Sequence, residues 1–168
     1  MKALVVYESM FGNTAEIAAA VARGLSDSFD VTLTDVHDVP PAAGVDLLVL
    51  GAPTHAFGMS RPSTRADATN KGEVRPGAEK VGIREFLDRS PQLTGLAAVA
   101  FDTKVNRPMT GSAARKALRR LRALGCRTVA PAESFHVTGM TGPLVTGEAD
   151  RARDWARNLA ASLASQAA

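Results

Sequence analysis

The chain has 168 residues, of which 45% are hydrophobic and 22% charged, and its formal net charge is +3. These values fit one ordinary globular domain with a real hydrophobic core, and no apolar stretch approaches the roughly 20 residues that a membrane span needs. A single cysteine, Cys126, excludes an internal disulfide and a cysteine metal cluster. The short N-terminal apolar run does not read as a secretory signal, so the expected location is cytoplasmic.

Ala3–Tyr7 is a continuous apolar run of strand length, as in a strand covered on both faces. From Asn13 to Ser26 the residues Ile17, Val21 and Leu25 recur at helical spacing, with alanines between them. Phe29–Val36 alternates, with Phe29, Val31 and Leu33 on one side and Asp30, Thr32 and Thr34 on the other, which predicts a strand nearer a sheet edge. VPPAAG leaves room for one short helical turn. Asp46–Gly51, DLLVLG, is a second continuous buried strand.

The stretch from Gly58 to Lys80 is poor in apolar residues and rich in turn formers, and is read as a long loop. A short amphipathic helix follows, with Ile83, Phe86 and Leu87 on one face, and then a buried strand at Leu96–Phe101. Ser112 is a natural N-cap for a helix presenting Ala114, Leu118 and Leu121, and Gly125 is placed to end it. Cys126–Ala130 reads as a strand interrupted by Pro131, which favours an edge position. The last helix runs from about Glu148 to Gln166, with Trp155, Leu159 and Leu163 on one stripe.

Strands alternating with helices predict a parallel sheet with helices on both faces. The expectation is one α/β domain over 1–168, a three-layer doubly wound sandwich with a five-stranded parallel sheet and a long loop at about 58–80. Ligands in such folds bind beyond the carboxyl ends of the strands, where the strand order reverses. Three loops meet there, reading ESMFGNT, APTHAFG and DTKVNRPMTGS.

The first loop opens a helix, and a helix N-terminus carries free N–H groups and partial positive charge. Ser9, Asn13 and Thr14 add side-chain donors, and Gly12 lets the backbone approach a guest closely. A phosphate suits this loop, although helix capping accounts for the same residue types. A P-loop is excluded because the loop has no lysine, and a dinucleotide fingerprint because Gly12 stands alone. A phospho-acceptor domain is disfavoured because the third strand ends in GAPT rather than in an aspartate.

Ser9-Met10-Phe11-Gly12-Asn13-Thr14 resembles the phosphate loop of the flavodoxin-like family. DLLVLGAPTHAFG resembles that family's third strand and following loop, and AFDTK the segment after its fourth. The resemblance implies the sheet order 2-1-3-4-5 and FMN as cofactor. Ser9, Met10, Phe11, Gly12, Asn13 and Thr14 would hold its phosphate. Pro53, Thr54, His55, Ala56, Phe57 and Gly58 would flank one side of the isoalloxazine ring, and Asp102, Thr103 and Lys104 the other. Flavodoxins commonly stack tryptophan and tyrosine on this ring. Here the only tryptophan is in the last helix and Tyr7 ends the first strand, which leaves Phe57 and His55 as the aromatic candidates.

Gly58 is a candidate for the backbone flexibility that relatives use beside the flavin, or an ordinary loop glycine. Lys104 either places a cation near the flavin, raising its potential, or faces solvent. His55 either donates to the ring or a substrate or is a surface histidine, and His136 either approaches the same rim or is simply packed or exposed. His37 is read as solvent-exposed, and Cys126 is assigned no chemistry. From Thr103 to Arg127 there are eight Lys or Arg residues and no acid. A solvated helix face explains such charges. The functional readings of Lys104 to Arg127 are docking of an acidic redox partner protein or capture of NAD(P)H phosphates. No nucleic-acid motif accompanies the charges. The expected function is an FMN electron carrier between a reductase and an acceptor. The alternatives are an NAD(P)H-dependent quinone reductase, with Gly58–Lys80 as a lid or oligomer contact, and a domain that has lost its flavin.

Overall fold

The computed structural model describes residues 1–40 and 44–167, so part of the VPPAAG turn lies outside the described residues. Strand β1 (Lys2–Tyr7) leads into α1 (Asn13–Leu25), β2 (Asp30–Asp35), a 3₁₀ turn (Val36–Asp38) and β3 (Leu47–Pro53). Helices α2 (Pro62–Thr69) and α3 (Ile83–Arg89) precede β4 (Ala97–Val105) and α4 (Ala113–Ala123). Two short strands, β5 (Arg127–Thr128) and β6 (Glu133–Val137), and a long α5 (Glu148–Ala167) complete the chain. Among the described residues every pairing between these strands is parallel and the order is β2-β1-β3-β4-β5, the doubly wound order expected from the sequence.

Each central strand is apolar on both faces because each face has its own cover. Ala3 and Val5 of β1 join Ile17, Val21 and Leu25 of α1 and Ala152, Ala156 and Leu159 of α5 in one core. Leu4 and Val6 point the other way, into a core with Ile83 and Leu87 of α3 and Leu118 and Leu121 of α4. Helices α1 and α5 approach through small residues. A Cβ on Gly24 would fall 2.7 Å from Ala156 Cβ and collide with the Arg153 carbonyl, so the roughly 1 kcal/mol of helix propensity that Gly forgoes against Ala is outweighed here.

The fifth sheet position is split. Ala97 and Ala98 pair with Arg127 and Thr128, and Phe101 to Val105 pair with Glu133 to Val137. Pro131 lies in the break, where it has no N–H to give the ladder. The edge strand read to end at Ala130 therefore resumes at Glu133, an extension not evident in the local sequence.

The larger difference concerns the segment read as a long loop. It contains α2, which has few apolar residues because its anchor is an arginine. Arg65 is fully buried. Its Nε donates to the Glu79 carbonyl (3.1 Å), Nη1 to Ser60 Oγ (2.7 Å) and Nη2 to Glu85 Oε1 (2.6 Å). Ser60 Oγ in turn donates to the buried Glu8 carboxylate, whose Oε2 accepts from Ile83 N (2.8 Å). Burial pushes the Glu8 carboxyl up, opposed by the hydrogen bonds from Ser60 and Ile83 and by the charge of Arg65. A separate small core of Met10, Ala68 and Ala78 seats the same segment on the first loop.

Candidate cofactor site

Gly12, with φ 98°, takes the N-cap position of α1, and no side chain caps the helix. Ser9 Oγ accepts from Gly12 N (3.1 Å), one residue ahead of the first-turn N–H groups. Those groups have no intrahelical partner by the geometry of a helix start, so they remain to bind a guest. The capping alternative is thereby removed: the hydroxyls of this loop do not close the helix end.

The loop is held from outside. Arg75 N donates to the Met10 carbonyl (2.8 Å), and Arg75 Nη1 to Asp35 Oδ2 (2.9 Å) and the Ser9 carbonyl (3.3 Å). Its guanidinium carbon lies 5.5 Å from the Tyr7 ring centroid. Asn13 Nδ2 reaches the Thr141 carbonyl (3.2 Å) in the β6–α5 loop.

Beside the α1 N-terminus lies a cavity of about 250 Å³. From the first loop, Ser9, Met10, Phe11, Asn13 and Thr14 line it; Pro53, Thr54, His55 and Ala56 come from the second, and Thr103 and Lys104 from the end of β4. The three loops are stitched together at its base. Thr14 and Thr103 hydroxyls meet at 2.7 Å, Thr54 N donates to the Thr103 carbonyl (3.0 Å), and Thr54 Oγ1 accepts from Ala113 N (3.0 Å).

Gly12 contributes backbone at the helix cap. Three other expected positions lie away from the cavity wall. Asp102 is fully buried, and its Oδ2 accepts from Ser112 Oγ (2.6 Å) and Ala114 N (3.0 Å), so its carboxylate secures the start of α4. Phe57 is 63% exposed and Gly58 is buried away from the cavity. His55 and Gly58 close a two-residue turn by exchanging backbone hydrogen bonds of 2.8 and 2.9 Å. Its central residues Ala56 (φ 42°) and Phe57 (φ 73°) are both left-handed, as such a turn requires, at about 1–2 kcal/mol each. The unusual backbone thus belongs to Ala56 and Phe57. Gly58 packs against the end of the Lys116 side chain.

The sequence reading missed Thr64, Asp67, Ala68 and Lys71, which α2 and its end bring to the cavity, and Val105, Val137 and Met140 on the far side. No local signal marks the first group, because α2 was hidden by its own polarity. Phe11 is the one aromatic ring other than His55 among the lining residues; Met10, Met140, Val105 and Val137 supply apolar wall instead. Trp155 packs edge-on with Phe101 and Phe135 inside the core.

Two groups set the electrostatics. Lys104 is half-buried, and its Nζ donates to the Gly111 carbonyl (3.0 Å). His55 Nδ1 lies 3.3 Å from Thr64 Oγ1. Burial, aided by the charges of Arg65 and Lys71, pulls the His55 imidazole down from 6.5 to about 4, so it is neutral at pH 7. The unfolded chain takes up this proton near pH 6.5 and the folded chain only near 4. The stability associated with His55 is therefore present above pH 6.5 and lost as pH falls from 6.5 to about 4. His55→Gln should flatten the fall in melting temperature across that window; parallel profiles for the two proteins would show that His55 is protonated at no cost.

The arrangement suits a phosphate ester carrying a flat ring. An uncapped helix start with neighbouring hydroxyl and amide groups provides donors for the phosphate, and the Lys71 side chain adds a cation nearby. The cavity next to it has apolar walls and a few polar groups, as ring-binding sites do.

A profile of the flavodoxin family matches residues 5–160. Among solved structures, the chain is similar to a flavodoxin from the domain Archaea at 20% identity, with a TM-score of 0.73, over 97% of this chain and 99% of that one. It is similar to oxidised Flavodoxin 1 from Bacillus cereus at 19% identity and a TM-score of 0.66, over 95% and 97% of the two chains. It is also similar to a flavodoxin, WrbA-like protein from Agrobacterium tumefaciens at 18% identity and a TM-score of 0.63, over 98% of each. No curated protein matches the chain. At these identities the structural likeness speaks for the fold; the profile, spanning most of the chain, speaks for the family. This chain belongs to the flavodoxin family, whose proteins bind FMN.

Proposed function

We propose that the chain carries electrons on FMN between a protein reductase and a separate acceptor. The observation that supports this most is the rim of the cavity. Met140, on its wall, is 61% exposed, and Phe57, next to the lining residue Ala56, is 63% exposed. Phe57 pairs with Gly111, two residues from Met109, which is 89% exposed. Large apolar side chains left in water beside a cofactor cavity mark a surface that other proteins cover.

FMN, when bound, supplies the electron-transfer chemistry. The protein's part is to bind, orient and shield. The α1 N–H groups with Ser9, Asn13 and Thr14 would hold the phosphate, and Met10, Met140, Val105 and Val137 would shield the ring from water. Burial and the charges of Arg65 and Lys71 keep His55 neutral, and its Nδ1 faces Thr64 Oγ1. Lys104 keeps a positive charge on the wall, which favours negative charge accumulating in the cavity.

The second reading, an NAD(P)H-dependent quinone reductase, draws on the scarcity of aromatic rings in the cavity, which leaves a ring open to a small substrate. FMN-loaded protein given NADPH and a quinone separates the two. The carrier reading expects almost no NADPH oxidation until a reductase is added; turnover at the roughly 10 s⁻¹ common among enzymes would move the assignment to the reductase.

Lys104→Gln should lower the FMN midpoint potential by tens of millivolts, on the order of 1.4 kcal/mol for each 30 mV of a two-electron couple. An unchanged potential would mean that the Gly111 carbonyl absorbs the effect of this charge.

A further inference from the structure

The basic stretch read from the sequence is dispersed by the fold. Arg120 pairs with Asp88 (2.6 Å) and Arg122 Nε donates to Thr128 Oγ1 (3.2 Å), so two of its cations are engaged on the outer face of α4. Others converge. Lys104, Arg107 and Arg115 line a second, open cleft of about 450 Å³ together with His136 and Arg151. Among the described residues none of Lys104, Arg107 and Arg115 forms an ion pair.

The one acid on the cleft is already spent. Glu133 Oε1 accepts from Arg151 Nη1 (2.6 Å), and Glu148 takes Arg151 Nε and Nη2 (both 2.8 Å). Arg151 also donates to the Ser134 carbonyl (2.6 Å) and lies 4.4 Å from the Phe135 ring centroid. Arg151 is therefore fixed, and with both carboxylates this wall carries a net charge of −1. Lys104, Arg107 and Arg115 stand around it without ion pairs, two of them guanidinium forks, so the cleft keeps a net positive charge.

We propose that this cleft binds a multiply charged oxyanion, a phosphate or diphosphate group, and that its occupancy is coupled to the charge state of the cofactor. Guanidinium forks match the spacing of phosphate oxygens and hold them bidentately, and a multiply charged guest is favoured over a single carboxylate where three cations converge. Lys104 lines both this cleft and the cofactor cavity. An anion beside Lys104 and negative charge on the reduced cofactor compete for one ammonium group. Each therefore weakens the other by the same factor, as linkage requires. The site goes beyond the carrier reading, and only the coupling rests on FMN being bound.

The test is calorimetric titration of inorganic pyrophosphate into cofactor-free and FMN-loaded protein at low salt, with a glutamate-rich peptide of equal charge as comparison. Saturable pyrophosphate binding to both forms is expected, weakened at least tenfold in Arg107→Gln/Arg115→Gln. Arg119→Gln, an exposed charge on the same helix outside the cleft, should change it less than twofold. Saturating pyrophosphate should lower the FMN midpoint potential, by about 30 mV if the reduced form binds it tenfold more weakly. No saturable binding, an equal loss in Arg119→Gln, or tighter binding of the peptide would overturn the site. An unmoved potential would overturn the coupling. Pyrophosphate held by the open start of α1 in the cofactor-free protein would survive Arg107→Gln/Arg115→Gln, so the loss that this variant causes reports the cleft even where FMN does not bind, and the two proposals fail separately.

Discussion

A helix cannot satisfy its own first N–H groups, and everything about this site follows from how α1 resolves that. Most helices use a side chain at the N-cap. Here the cap is Gly12, which has no side chain to offer, and the Ser9 hydroxyl is turned to Gly12 N instead. Donors are thus left at the carboxyl end of β1, where the strand order reverses and the sheet leaves a crevice. With glycine at the N-cap, leaving the side chain out costs only about a few tenths of a kcal/mol. A phosphate that accepts several of these N–H groups returns more than that, since hydrogen bonds to a charged group contribute about 1.5–3 kcal/mol each.

An open helix start must be kept in place by something other than the helix, and the segment between β3 and α3 does this. Arg75 clamps the loop backbone to Asp35 and Tyr7, while Arg65 ties α2 through Ser60 to Glu8 at the end of β1 and through Glu85 to α3. A buried ion network of this kind is weak evidence for added stability, because desolvation offsets most of the attraction. Its geometry is demanding, however, and breaking it leaves a charge uncompensated. Gly82 is part of the fit, since a Cβ there would fall 2.6–2.7 Å from Arg65 Nη1, Glu8 Oε2 and Ser60 Oγ. The network fixes where Thr64, Asp67 and Lys71 stand around the cavity.

The fold was legible wherever hydrophobic burial alone decides structure. DLLVLG and LAAVAF could only be strands covered on both faces, and Ser112 and Gly125 marked the ends of α4 as capping chemistry dictates. Legibility failed where a polar group does the anchoring. Helix α2 buries Arg65 and Ala68 and little else, so it carries no apolar stripe to read. At the site, the first-loop residues were legible as neighbours of the cavity because a strand–turn–helix with small polar residues is a local pattern. Asp102 and Phe57 were misplaced because their roles depend on partners far along the chain: Ser112 and Ala114 for one, Gly111 for the other. Met140 and Val137, from the split edge strand and its loop, were invisible for the same reason.

The claim on which the account turns is that the uncapped start of α1 is a phosphate cradle. Its most direct test compares the affinity of the cofactor-free protein for FMN and for riboflavin, which share the ring and differ in the phosphate. FMN should bind at least about a hundredfold more tightly, roughly 2.7 kcal/mol, since even two charge-assisted hydrogen bonds supply that much. Affinities within a few-fold of each other would mean that the cavity holds the ring by its apolar walls and that the helix start contributes nothing to cofactor binding.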